Sequence, residues 1–229
     1  MSYIFIVCGY GIPQDIIKDE NYNFYLKIVF NRIFDITQKN NSVNPLIILS
    51  GGKTDCFKPY RRTEAGEMKR FFATIAKQNR MAKEIIKQWR FVLETRALST
   101  VENFVNSKNI ISDRGLSKGT IVVFCEQTRQ KRVTVLVKRI FGKGFKLNIV
   151  PVDFDTSPNR YLDKTFIEKK ERISLQQALQ ALKNPKQFEK YHAMFVKKVR
   201  CLREAGTAKR VETVRKLWEK EMTVKSFNQ

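Results

Sequence analysis

Short, uninterrupted apolar runs alternate with amphipathic stretches of helical period along the first two thirds of the chain. The runs lie at residues 3–8, 46–49, 91–93, 120–125 and 147–152 and are rich in Ile, Val and Phe. Continuous apolar runs suit strands covered on both faces, the habit of parallel sheets. Between them, residues 22–37 set Tyr25, Ile28, Val29, Ile33 and Phe34 on one stripe, and residues 63–78 do the same with Ala65, Met68, Phe72 and Ile75. Residues 100–113 and 128–141 repeat the pattern with Val101, Phe104, Val105 and Ile111, then with Val133, Leu136, Val137 and Ile140. This alternation predicts an open α/β domain with a mostly parallel sheet of about five strands and right-handed crossovers.

Beyond residue 155 the pattern changes. Thr156, Ser157, Pro158 and Asn159 form a turn cluster, and three amphipathic stretches follow at residues 173–182, 188–202 and 208–222, separated by Pro185 and Gly206. The division predicted is an α/β domain at 1–156 and a basic helical extension at 157–229, packed on the sheet or on its edge.

Composition adds charge to this picture. The 229 residues are 42% hydrophobic and include 17 Phe, far from the composition of a disordered chain. Lys and Arg number 44 against 22 Asp and Glu, a formal net charge of +22. Self-repulsion of that size opposes compaction and draws a protein toward nucleic acid, anionic lipid or small anions. The excess is no tail: residues 1–156 carry 26 basic and 14 acidic side chains, and residues 157–229 carry 18 and 8. A basic proteome in which Lys is the default solvated residue accounts for it equally well.

Cys8, Cys56, Cys125 and Cys201 are scattered without a CxxC pair and His192 is the single imidazole, so the sequence points to reduced thiols and away from zinc. His192 itself reads as structural or solvent-facing. The first eleven residues lack a basic segment and reach glycine after a short apolar run, and no later stretch approaches the ~18 apolar residues of a membrane span. The expectation is a cytoplasmic protein without a transmembrane segment.

Ligands of open parallel sheets bind beyond the carboxyl ends of the strands, so the loops there hold the candidate chemistry. The first strand runs into Gly9-Tyr10-Gly11, where glycines let the backbone turn sharply and approach a ligand closely. The second runs into Ser50-Gly51-Gly52-Lys53-Thr54, whose N–H groups are expected to form an anion-holding nest beside the Lys53 charge. Neither is a strict dinucleotide fingerprint or Walker loop, and plain strand-exit turns explain either one alone. The third strand ends in Glu94, and Ser99 or Thr100 then caps a helix whose first turn aims Asn103 back at the mouth of the sheet. Glu64 opens the helix after the second strand, where a carboxylate also favours the helix dipole. Arg129 and Arg132, three apart after the fourth strand, share a helix face suited to clamping phosphate or carboxylate.

The order and spacing of these pieces resemble the YdcF-like family (SanA, ElyC and YdcF type domains) over about residues 3–153. The motifs are the glycine-containing first strand exit, Leu-Ser-Gly-Gly at 49–52, Thr-Glu-Ala-x-x-Met at 63–68, the isolated Glu94, Thr-x-Glu-Asn at 100–103 and the arginine-bearing helix after the fourth strand. The matching positions are Gly9, Gly11, Ser50, Gly51, Gly52, Glu64, Glu94, Thr100, Asn103 and Arg132. The resemblance implies a Rossmann-like three-layer fold with polar residues gathered at the strand C-termini, and S-adenosylmethionine binding or envelope and lipid-carrier metabolism as functions. Three positions depart from it. Arg129 stands where many relatives have His, Ala97 where a Ser follows the lone Glu, and Ser99 where an Asn precedes the Thr. Losing the His removes the side chain best suited to proton transfer near neutral pH.

The leading expectation is a site for an anionic, nucleotide-like small molecule, S-adenosylmethionine or a phosphorylated metabolite. In it Ser50, Gly51 and Gly52 supply N–H donors, Lys53, Arg129 and Arg132 neutralise charge, and Glu94, Asn103 and Glu64 orient sugar or amino groups. If turnover occurs, it is group transfer or phosphoester hydrolysis with Glu64 or Glu94 as base, with a divalent metal as one option. The alternative is nucleic-acid binding through the C-terminal helices, where Lys197, Lys198, Arg200, Arg203, Lys209, Arg210, Arg215 and Lys216 interleave with Tyr191, Phe195 and Trp218. Those aromatics also fall at helical spacing, as packing residues do.

Overall fold

The structure is a computed structural model and describes residues 3–40, 44–154, 164–206 and 209–226. The turn cluster at 156–159 and the start of the third C-terminal stretch at 208 lie outside them. Strands β1 (Tyr3–Cys8), β2 (Leu46–Ser50), β3 (Arg90–Glu94), β4 (Gly119–Glu126) and β5 (Phe145–Val152) form one sheet in the order β3-β2-β1-β4-β5, every pairing parallel. Helices α1 (Glu20–Lys39), α2 (Glu64–Gln78), α3 (Arg80–Lys87), α4 (Thr100–Ser112) and α5 (Gln130–Phe141) make the crossovers. The chain therefore has the expected three-layer, Rossmann-like α/β fold.

Period-two alternation divides the core. Phe5, Val7, Ile47, Leu49, Val122 and Phe124 pack with Tyr25, Leu26, Val29 and Ile33 of α1 and with Met68 and Phe72 of α2. The intervening residues Ile4, Ile6, Ile48, Ile121 and Val123 are fully buried on the other face, where α4 and α5 lie. Edge strands β3 and β5 are only partly covered, and Pro151 sits in β5, where a missing donor is tolerated.

Helix α3 is an addition to the sequence expectation. Asn79 closes α2 with its N–H on the Ile75 carbonyl and caps α3 by accepting from the Ala82 N–H. A second correction concerns Arg129: residues Gln127–Arg129 form a single 3₁₀ turn, and Arg129 is the N-cap of α5 rather than a residue on its face. Arg132 is buried in the first turn of that helix.

The chain divides into two compact units, one of residues 1–55 and 61–154, the other of residues 56–60 and 155–229. The second contains α6 (Lys164–Ala181), α7 (Pro185–Ala205) and α8 (Arg210–Ser226). Pro185 is the first residue of α7, not a separator before it, because a missing N–H costs nothing at that position; Asn184 caps the helix. Trp218 packs with Ile173, Phe166 and Val214 to make a small core.

Candidate functional site

Strand register sets the floor of the site. Cys8 pairs with Ser50, and Ser50 with Glu94, so the last residues of β1, β2 and β3 form a row on one face. Helix α4 covers that row. Ser99 caps the helix by accepting from the Glu102 N–H, and Glu102 reaches back to the Leu98 N–H, a variant of the capping box. This anchoring holds Asn103 and Asn106 over the strand ends. Ser50 Oγ lies 2.8 Å from Glu94 Oε2 and 3.1 Å from Asn103 Oδ1. Its single proton goes to the carboxylate, the stronger acceptor. Glu94 Oε1 accepts from the Arg96 N–H at 2.8 Å, the Ala97 N–H at 3.1 Å and Asn106 Nδ2 at 2.9 Å. Both oxygens are thus taken by protein donors, which makes Glu94 the clasp of the β3 exit loop rather than an available base.

Glu64 is built differently. Thr63 caps α2 through Oγ1 to the Gly66 N–H and leaves Glu64 as the first helical residue, 7% exposed. Its Oε1 accepts from the Gly11 N–H and from Thr54 Oγ1, each at 2.6 Å. Among the described residues no hydrogen bond is directed at Oε2. Burial raises the carboxyl above the ordinary glutamate value, opposed by those two hydrogen bonds and by the Arg129 charge. Two glycines make the placement feasible, since a β-carbon at Gly9 or Gly51 would fall 2.3 or 2.2 Å from Oε2. Gly11 has φ of 90°, where glycine is favoured, and this turn aims its N–H at Glu64.

The third part lies where the strand order reverses. Crossovers leave β1 and β4 in opposite directions, opening a crevice between adjacent strand ends. Tyr25 Oη sits under it, 3.1 Å from the Cys8 carbonyl and 3.3 Å from that of Phe124. Tyr22 Oη accepts from the Tyr10 N–H and donates to the Gly11 carbonyl, both at 2.6 Å, fixing the β1 exit loop on α1. Tyr10 Oη accepts from the Glu126 N–H, tying that loop to the end of β4. The Arg129 guanidinium lies 4.4 Å from the centre of the Tyr10 ring, and its Nε 3.9 Å from Glu126 Oε2. Burial pushes the hydroxyls of Tyr10, Tyr22 and Tyr25 and the Cys8 thiol well above their ordinary values, so all four are neutral near pH 7.

Comparison with family models, with curated proteins and with solved structures finds no match to this chain.

The sequence-predicted residues divide on this geometry. Gly9, Gly11 and Arg129 stand at the exits of β1 and β4, and Glu64 lies against Gly9 and Gly51 at the neighbouring exits of β1 and β2, while Ser50, Glu94 and Asn103 form the row beneath α4. Thr100 is the buried first residue of α4, and Ser99 is the cap. The expected anion nest at 50–52 is corrected. The Gly51 N–H donates to the Glu94 carbonyl at 2.9 Å and the Gly52 N–H to the Ala97 carbonyl at 2.6 Å, so these amides fasten β2 to the β3 exit loop. Lys53 is exposed. The divalent-metal option finds no support in the residues: among those described, no group of three or more His, Cys, Asp or Glu comes together. Sequence reasoning missed Tyr10, Tyr22, Tyr25 and Asn106, and it placed Thr54 in the candidate loop without its bond to Glu64. The placement of Tyr10 between two glycines at a strand exit was the one available signal.

A further set of contacts stiffens the rim. Arg62 makes a two-pronged ion pair with fully buried Asp55, at 3.0 and 2.9 Å, and donates through Nη1 to the carbonyls of Pro13 and Gln14. Arg70 joins Asp15 to Glu67, 2.9 Å from each. The loop after β1 is therefore held from both sides.

In the helical unit, Tyr191 and Trp218 are buried, so these two rings serve packing and are not offered for base stacking. Among the described residues no helix is long and apolar enough to cross a membrane.

Proposed function

We propose that the α/β unit is a YdcF-like domain that binds an anionic, nucleotide-like metabolite in the crevice between the β1 and β4 exits. The observation that carries this reading is the pairing of a planar cation, Arg129 on the Tyr10 ring, with a buried carboxylate, Glu64, whose Oε2 takes no donor among the described residues. Arg129 brings a planar positive charge to this end of the sheet, and the guanidinium shape suits phosphate or carboxylate oxygens. Glu64 Oε2 accepts a hydroxyl or amino hydrogen of the same ligand, as a ribose or an amino acid part provides. Two loops anchored by Tyr22, Arg62 and Arg70 present these groups without reorganisation, which reduces the entropic cost of binding.

Should a reaction accompany binding, Glu64 is the group suited to move a proton: burial holds its carboxyl above the ordinary value, nearer to working pH. Glu94 positions the β3 exit loop. The chemistry consistent with these residues is group transfer or phosphoester hydrolysis at the ligand.

Calorimetric titration with AMP, ADP and S-adenosylmethionine, with adenosine as the uncharged control, tests the reading. A phosphorylated nucleotide, through its phosphate, or S-adenosylmethionine, through its carboxylate although its net charge is positive, is expected to bind, with affinity lowered by Arg129→Ala and by Glu64→Ala. No binding at millimolar ligand, or binding indifferent to both substitutions, refutes it.

A further inference from the structure

The helical unit holds a cavity of about 140 Å³ between α6, α7 and α8. Its wall is mostly apolar: Met194 and Phe195 from α7 face Leu217 and Trp218 from α8. Around this wall stand three cations, exposed Lys197 and Lys220 and half-buried Lys198. The Lys198 ammonium lies 4.6 Å from the centre of the Trp218 ring and 5.4 Å from that of Phe195, within cation–π range of both. The acid in the lining, Glu221, accepts a hydrogen bond from Gln177 Nε2 at 2.8 Å, so α6 holds it in place.

We propose that this cavity binds a small apolar carboxylate of single-ring size. The volume sets the size, being close to the ~150 Å³ of an apolar cavity that accepts benzene. The wall sets the body of the ligand, because an unfilled apolar space forfeits dispersion contacts that a ring or short alkyl chain restores. Charge complementarity sets the head group: among the described lining residues three ammonium groups stand against one carboxylate, which favours an anion, and the rings on which the Lys198 ammonium rests place that cation beside the apolar body. A neutral or cationic analogue of the same shape gains the packing without the ion pair. This inference concerns α6–α8 alone and does not depend on the sheet-edge reading.

The test uses the full chain with carbon-13 methyl-labelled methionine, reading the Met194 signal by NMR while benzoate is added, with benzamide as the neutral isostere. Benzoate is expected to shift the Met194 methyl saturably, and benzamide to bind about ten-fold more weakly, as loss of one charge-assisted contact implies. Lys198→Met is expected to weaken benzoate by a similar factor and to leave benzamide unchanged. No saturable shift at millimolar benzoate, or equal affinities for benzoate and benzamide, overturns the proposal. The comparison of the two ligands on the unaltered chain decides the matter even if Lys198→Met fails to fold.

Discussion

Gly51 lies so close to Glu64 that a β-carbon on the glycine would stand 2.2 Å from Oε2 and 2.6 Å from the Glu64 Cβ. Gly9 has the same relationship from β1, at 2.3 and 2.6 Å. Rotating the carboxylate relieves the first contact but not the second, which is fixed to the start of α2. Gly9→Ala and Gly51→Ala are each expected to lower stability by about 1–3 kcal/mol, the usual cost of overpacking. Urea unfolding checks this through the midpoint at constant slope. A wild-type midpoint would show that α2 moves freely and that the carboxylate is not wedged.

Glu64 also gives the protein a pH signature. Its folded carboxyl is raised by burial, so the folded state holds the proton more tightly than the unfolded chain. Its contribution is therefore most favourable below the unfolded glutamate value and is lost as pH rises through the raised folded value. Glu64→Gln keeps an acceptor for the Gly11 and Thr54 donors and removes the titration. The variant is expected to gain stability over the wild type at pH 7 relative to pH 4, measured by urea unfolding at both. An equal difference at the two pH values would contradict the raised carboxyl.

Glu94 should behave as a structural clasp. Ser50→Ala removes one donor to a buried carboxylate and is expected to cost about 1.5–3 kcal/mol. Glu94→Ala strands the Ser50, Arg96, Ala97 and Asn106 donors together and should cost more. In contrast, Arg129→Ala is expected to show its larger effect on ligand affinity, lowered by about ten-fold or more. The two effects separate in paired unfolding and calorimetric titrations.

Tyr10→Phe removes the acceptor of the Glu126 N–H but keeps the ring beneath Arg129. The expected result is a stability loss of about 1 kcal/mol with binding largely retained. Tyr10→Ala removes the ring as well and is expected to weaken ligand binding, as titration of both variants would show.

The strands were legible because burial on both faces writes itself as an unbroken apolar run, as in Tyr3–Cys8. Helix α3 was not. Eight residues with Ala82, Ile85 and Ile86 as their apolar members carry too little periodicity, and a single Asn79 serves as the stop of one helix and the start of the next. Glu64 and Arg129 could be placed at the mouth from their offsets after β2 and β4. The partners of the Gly51 and Gly52 amides could not, because the Glu94 and Ala97 carbonyls reach them only through the parallel pairing of β2 with β3. Glycine-rich loops look alike in sequence whether their N–H groups face a ligand or a neighbouring loop. The same holds for Tyr22 and Tyr25, whose helical spacing marks them as core while their hydroxyls perform work at the strand ends.

The central claim is the location of the ligand, and the nitrogen-15 NMR spectrum of the full chain titrated with ADP tests it most directly. The Gly11 amide, which donates to Glu64, and the Arg129 Nε–H report on the two sides of the crevice. Both signals are expected to shift saturably with one common affinity, and Arg129→Ala is expected to weaken the affinity read from the Gly11 shift by about ten-fold or more. Unchanged Gly11 and Arg129 signals at saturating ADP, or shifts confined to α6–α8, would contradict it.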